Sequence, residues 1–267
     1  MVRRKLSASG MSLFLKSPKA FYHRYIASLE SIVESVGTFS HDRICGSLWS
    51  AFVDRFYKGM AEGENTERML TAWYENTHGW VPPKTQERYA EAMKTWANTY
   101  YQGFSPDDGV RDPDKSEYFV ENDRYVGYLD GFNSKDGYIH EVKSTSQAPQ
   151  LSEQLLKVQM SLQVKLYAVL TRANGAVIEF AFKNAPYGVY RAEPILFTKA
   201  QRDCWEHEID ALADRIISLG DDPCNYVCNP DACTLVTRNM VAPCQYQALC
   251  LGLEGASIAF KPKTNRK

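Results

Sequence analysis

The chain predicts an α/β fold: a central mixed β-sheet with an α-β-β-β-α-β core, flanked by helices, with a helical N-terminal section and a cysteine-rich C-terminal tail. Three observations carry that expectation. Apolar residues in the first third recur at helical spacing, the middle of the chain alternates in short runs bounded by turn residues, and five of seven cysteines fall between Cys224 and Cys250. With 267 residues, 44% of them hydrophobic and 24% charged, there is material for one large core. The division expected is a single domain over 1–267, with a helical section at 1–105, a core at 116–220 and the cysteine tail at 221–255.

Taken in order, Ser7 to Ser12 followed by Leu13, Phe14 and Phe21 to Tyr25 reads as capped helix starts with apolar faces. From Gly46 to Lys58, Leu48, Phe52, Val53 and Phe56 share one helix face, and Gln86 to Tyr101 does the same with Tyr89, Met93, Trp96 and Tyr100. The aromatic stripe of that second helix is most simply core. Gly103 to Lys115, rich in Pro, Gly and Asp, reads as a polar loop separating the helical section from the strand-rich core. Strands are expected at Glu117 to Glu121, Arg124 to Phe132 and Tyr138 to Lys143, then a helix at about Leu151 to Leu170. Further strands at Ala176 to Lys183 and Tyr187 to Phe197 lead to a long helix, Lys199 to Leu219, with Thr198 as its cap.

The hairpin in the middle of this series holds the chemistry. Leu129 to Ser144 reads LDGFNSKDGYIHEVKS: an acid at Asp130, a turn through Asn133 to Gly137, then an acid and a lysine two residues apart. Side chains on a strand alternate faces, so Glu141 and Lys143 share one face while Val142 points into the opposite layer. If the hairpin pairs, Asp130 comes alongside them. A cross-strand ion pair on a solvated hairpin is the plain reading of an acid-x-Lys pattern taken alone.

A net charge of −1 excludes a broadly polycationic surface, although Lys16, Lys19 and Arg24 crowd the first helices. The apolar run from Met11 to Leu15 is too short for a signal peptide and no stretch is long enough to span a bilayer, so the expected location is the cytoplasm. In a reducing compartment, clustered cysteines suggest metal ligation before disulfides.

Gly127-Tyr-Leu-Asp130, then Glu141-Val-Lys143, then Gln163-x-x-x-Tyr167 resembles the motif series of the PD-(D/E)XK nuclease superfamily, in particular its RecB-like branch. That branch includes nucleases of CRISPR adaptation and many phage exonucleases. LSASGMSLFLKSPKAFYHRYI and GSLWSAFVDRFYKG are similar to the family's first two helices, so the likeness runs from about Leu6 to Cys250. Each motif is short, and their order and spacing together are what is specific. The resemblance implies a restriction-endonuclease-like fold and a divalent-metal-dependent deoxyribonuclease. It further implies an exonuclease acting on DNA ends or single strands, in recombination, repair or phage genome processing.

The resemblance also assigns roles. Asp130 and Glu141 would hold Mg²⁺ or Mn²⁺ with the carbonyl of Val142, and Lys143 would position the attacking water and stabilise developing negative charge. Gln163 and Tyr167 would orient the site and touch the DNA strand, while Tyr167 is equally well explained as a packing residue. Lys16, Lys19 and Arg24 are the expected nucleic-acid contacts outside the hairpin.

Two positions depart from the family pattern. The family's histidine, four residues after Gly46, falls on Ser50, and His41, at the same spacing from Gly37, is the alternative metal ligand or an exposed loop residue. Ser17-Pro18 stands where iron-sulfur members carry Cys-Pro. In the tail, Cys233, Cys244 and Cys250 match the last three ligands of a [4Fe-4S] cluster, with Cys228 or Cys224 available as a fourth. Zinc on four thiolates and free thiols are the other readings of the tail, while Cys45 and Cys204 are expected as buried small hydrophobes. A catalytically inactive nucleic-acid-binding relative remains the alternative function; a protein merely organised by its cysteines would leave the hairpin unexplained.

Overall fold

In the computed structural model the chain forms two compact units, one of residues 40–206 and one combining 1–39 with 207–267. The structure describes residues 5–31, 41–77, 83–145, 151–229, 234–237, 240–243, 246, 249 and 260–262.

The unit of residues 40–206 opens with three helices: α1 (His41–Tyr57), α2 (Glu62–Thr77) and α3 (Pro83–Gly103). Sequence periodicity finds α1 and α3 but not α2. Its four fully buried positions, Asn65, Met69, Trp73 and Thr77, make one stripe in which only two residues are apolar. Trp49, Phe52, Phe56, Met69, Trp73, Met93, Trp96 and Tyr100 interlock in a cluster that also takes Val142 and Ala181 from the sheet. Phe56 meets Tyr100 edge to face at 4.6 Å, and the Trp96 indole donates to the carbonyl of Phe182 at 2.8 Å.

The sheet of this unit comes next: β1 (Ser116–Glu121), β2 (Tyr125–Asn133), β3 (Tyr138–Thr145), then after α4 (Leu151–Gln159) and α5 (Leu162–Thr171), β4 (Gly175–Phe182), β5 (Gly188–Arg191) and β6 (Ile195–Leu196). β1 pairs antiparallel with β2 and β2 antiparallel with β3, whereas β3 and β4 run parallel, from Tyr138 opposite Gly175 to Thr145 opposite Phe182. A parallel pair needs a long crossover, which α4 and α5 supply. β5 and β6 both pair antiparallel with β4, completing the expected mixed sheet. β4, lodged inside the sheet, is buried at every position, Glu179 included.

Local chemistry explains the turns and the places where boundaries differ from expectation. At the β2–β3 turn, Asn133 Oδ1 accepts from the amides of Lys135 and Asp136 at 2.8 and 3.0 Å, and Gly137 closes the turn at φ +70°, a conformation glycine adopts without cost. The helix expected as continuous over Leu151 to Leu170 breaks before Ser161, whose hydroxyl caps α5 by accepting from Val164 N at 3.3 Å. The strand expected at Tyr187 to Phe197 divides into β5 and β6 around Pro194, which has no amide to give to a ladder. Thr198 caps α6 (Lys199–Ser218): its Oγ1 accepts from Gln201 N at 3.1 Å and Gln201 Oε1 accepts from Thr198 N at 2.8 Å, a reciprocal capping box. Of the two cysteines expected to be buried, Cys45 is and Cys204 is exposed, on the solvent side of α6.

In the other unit, Ser7 caps the helix Ala8–Lys16, accepting from Gly10 N at 3.2 Å, and Ser17 caps Pro18–Phe21, accepting from Ala20 N at 3.3 Å. Strand Leu29–Ser31 pairs with Phe260–Pro262, and Thr234–Thr237 pairs with Met240–Pro243. The C-terminal segment returns to these helices by named contacts. Lys19 Nζ donates to the carbonyl of Pro223 at 2.7 Å, Asn229 Nδ2 to that of Lys16 at 3.1 Å, and Tyr226 packs against Tyr22 with ring centres 5.1 Å apart.

Candidate active site

Asp130, Glu141 and Lys143 come together where β2 and β3 part. Their last registered pair is Gly131 with His140, so Asp130 and Glu141 lie just beyond it on facing strands. Past that point the ladder is replaced by a side chain, Asp130 Oδ2 accepting from the amide of Val142 at 2.8 Å. Alternation does the rest: Val142 enters the core while Glu141 and Lys143 share the other face, ion-paired through Oε1 and Nζ.

Glu141 is fully buried; its Oε1 is engaged by Lys143 Nζ, and Oε2 has no hydrogen-bond partner among the described residues. Burial, helped by the charge of Asp130 and opposed by Lys143, pushes its carboxyl up to about 7. Burial works to lower the Lys143 ammonium, but Glu141 and Asp130 outweigh it and hold it raised. From α5, Gln163 Oε1 accepts from Lys143 Nζ at 3.3 Å. One turn on, Tyr167 is buried at 6% exposure with its ring on Gly127, where a Cβ would collide with it. Burial and the charge of Glu141 raise its hydroxyl to about 12. The family motif glycine is therefore a steric requirement of Tyr167.

Sequence reading missed Glu117. It faces Asp130 in the β1–β2 register, between the pairs Ser116–Gly131 and Tyr118–Leu129, with its backbone in the left-handed region at φ +52°. Such a conformation costs a residue with a side chain about 1–2 kcal/mol. Ser50, on α1, lies 3.0 Å from Glu117 Oε1 and 3.4 Å from Asp130 Oδ1. Thus the position of the absent histidine does face the acids, through a hydroxyl. Desolvation raises the Glu117 carboxyl, Ser50 opposes the shift, and the charge of Asp130 adds to it. The signal available in sequence was only an acid at a strand start.

The donors suit a hard divalent cation. A buried carboxylate oxygen without a hydrogen-bond partner among the described residues, Glu141 Oε2, beside the carboxylate of Asp130, is a donor set of the kind Mg²⁺ and Mn²⁺ take. Among the described residues no three His, Cys, Asp or Glu side chains gather to hold a metal by themselves. A pair of carboxylates is the set expected for an ion that keeps waters and binds a phosphate.

The other expected residues lie elsewhere. His41 begins α1, and its side chain is outside the described residues. In the unit built from the two ends of the chain, Lys16 is exposed, Lys19 is tied to Pro223, and Arg24 lies 5.9 Å over the ring of Tyr25. Cys224 is exposed and Cys228 half-buried, while Cys233, Cys244 and Cys250 lie outside the described residues. No described helix is long and apolar enough to cross a membrane.

Known proteins point the same way. No curated protein matches the sequence. Among solved structures, a "Putative exonuclease" from Eubacterium rectale superposes with a TM-score of 0.50 at 12% identity, over 94% of this chain and 88% of its own, a likeness of fold. A phage related exonuclease from Haemophilus somnus 129PT gives a TM-score of 0.36 at 12% identity, over 81% of this chain and 96% of its own, too low to build on. The model of the PD-(D/E)XK nuclease superfamily matches residues 5–251, a span that takes in the parted strands, both acids and the lysine. With that match over nearly its whole length and a mixed sheet of the corresponding kind, the chain belongs to the PD-(D/E)XK nuclease superfamily.

Proposed function

We propose that the protein is a divalent-metal-dependent deoxyribonuclease of the RecB-like type, an exonuclease working on DNA ends or single strands in recombination, repair or phage genome processing. The observation that carries the metal-dependent reading is Glu141: fully buried, across the strands from Asp130, with Oε1 on Lys143 and Oε2 without a hydrogen bond among the described residues. Glu141 thus offers an oxygen that no described residue engages, beside a second carboxylate with which to share a cation.

Asp130 and Glu141, with the carbonyl of Val142, would hold Mg²⁺ or Mn²⁺. When bound, that ion supplies a water of lowered pKa and charge to offset that of the phosphate. The residues do the remainder. Lys143 directs its ammonium at the charge developing on the phosphate, and Gln163 holds the amine in place from α5. Tyr167, packed on Gly127, fixes α5 against β2. Lys16, Lys19 and Arg24 are read as part of the nucleic-acid path.

The tail is read as a second, structural metal site on Cys228, Cys233, Cys244 and Cys250, with Cys224 as an alternate ligand, for a [4Fe-4S] cluster or Zn²⁺. One contact favours Cys228 as the replacement for the family's N-terminal cysteine. Its neighbour Asn229 bonds to the carbonyl of Lys16, beside Ser17, whose own hydroxyl is engaged as a helix cap.

The test is cleavage of end-labelled single- and double-stranded linear DNA with Mg²⁺, Mn²⁺ or EDTA, comparing the wild type with Glu141→Ala. Degradation that needs metal and is lost in the variant is the expected result. A folded, metal-replete wild type that binds DNA without cutting it would establish the silent binding relative, with Ser50 in the place of histidine as the reason.

A further inference from the structure

The loop after α3, a mere separator by its composition, carries a buried arginine. Arg111 is 3% exposed, and its guanidinium reaches all three strands that bear the acids. Nη1 donates to Ser116 Oγ at 2.7 Å and to the carbonyl of Asp130 at 2.5 Å, while Nε donates to His140 Nδ1 at 2.9 Å. Each contact falls on an acid or its neighbour: Ser116 precedes Glu117, the second is Asp130 itself, and His140 precedes Glu141.

The partners are the unusual part. A guanidinium buried for stability normally faces a carboxylate, yet these three acceptors are neutral, and Nη2 has no hydrogen bond among the described residues. Arg111 Cζ lies 4.8 Å from the centre of the Tyr57 ring, a cation–π contact. Room for it is made at Gly131, where a Cβ would come within 2.6 Å of Nε. A planar fork with fixed angles between its donors can set a distance between strands, which a flexible ammonium cannot. β1 and β2 stay paired on both sides of Glu117, but Arg111 acts where the β2–β3 ladder has ended and only the Asp130 side chain, on the amide of Val142, continues it.

We propose that Arg111 is the positioning residue that sets the spacing of Asp130, Glu141 and Glu117 from behind the sheet. The proposal rests on the metal-dependent reading above. Arg111 touches neither substrate nor cation; it decides how far apart the ligands stand, so the geometry of the fork matters and not the charge alone.

Arg111→Lys keeps the charge and removes the fork. Mn²⁺ binding by calorimetry, and kcat and KM on linear DNA, are measured below the melting range of each protein. Expected for the folded variant is Mn²⁺ affinity weakened tenfold or more and kcat lowered at least as much, with KM for DNA within twofold of wild type. Wild-type Mn²⁺ affinity and kcat in folded Arg111→Lys would overturn the proposal, since a merely structural arginine changes melting and not these. Should Arg111→Lys not fold, Ser116→Ala, which removes one acceptor of the fork, decides: Mn²⁺ binding weakened severalfold supports the proposal, and unchanged binding ends it. A wild type that does not bind Mn²⁺, or whose binding Glu141→Ala leaves intact, would instead bring down the metal-dependent reading and the proposal with it.

Discussion

The two sides of β3 treat charge in opposite ways. Behind the sheet, Arg191 Nε contacts Glu179 Oε2 at 2.9 Å and its Nη1 contacts Asp108 Oδ2 at 2.5 Å, with Tyr57 and Tyr100 hydroxyls donating to the same two acids. His140 adds no charge there, because burial and the nearby Arg111 hold its imidazole down to about 4. Guanidinium and carboxylate charges balance on this closed side, although Glu179 Oε1 has no hydrogen bond among the described residues. On the other side Glu117, Asp130 and Glu141 lie near one another, with Lys143 ion-paired to Glu141 Oε1 and no hydrogen bond to Glu141 Oε2 among the described residues. Neighbouring residues of one strand thus do different work. A balanced network holds the strands on one side, and carboxylates crowd together on the other.

Substitutions on the two sides should therefore fail in different ways. The largest effect is expected for Lys143→Met: single-turnover cleavage falls by about 10²–10³-fold, as for removal of one charge-stabilising donor, while Mn²⁺ binding persists. Loss of Mn²⁺ binding in the same variant would make Lys143 a partner of Glu141 only and blur the contrast.

Next is Glu179→Gln. Breaking a buried pair and leaving its partner charged costs about 3–5 kcal/mol, read as a lower urea midpoint. A loss below about 1 kcal/mol, the worth of an exposed pair, would make the closed side as dispensable as the open one.

The finest effect is in pH. Burial holds the Glu141 carboxyl up at about 7 against an ordinary 4.5, so in metal-free protein its contribution is full below 4.5 and lost as pH rises to about 7. For His140, depressed from 6.5 to about 4, the contribution is present above 6.5 and lost as pH falls toward 4. Adjacent residues therefore give opposing slopes over much the same range. Glu141→Gln removes only the first, so its metal-free melting temperature should climb with pH from 4.5 to 6.5 more steeply than that of the wild type. Parallel curves would mean that Glu141 is ionised before metal arrives.

By itself the sequence determined the series of elements and the acids at its centre. Period-two alternation across Leu129 to Ser144 sets Glu141 and Lys143 on one face with Val142 opposite, because consecutive strand side chains can point no other way. Helical spacing of aromatic residues marked α1 and α3, and hydroxyls at Ser7 and Thr198 marked helix starts, since local backbone donors need local acceptors. Tertiary structure alone decided what depends on residues far apart in the chain. α2 shows its stripe only against α1 and α3. Glu117 joins Asp130 through strand register and a left-handed backbone, and Arg111 reaches three strands from a loop whose composition says only that it is polar. Neither placement has a period or a spacing that a one-dimensional pattern can carry; each arises from how the strands part once the sheet is formed.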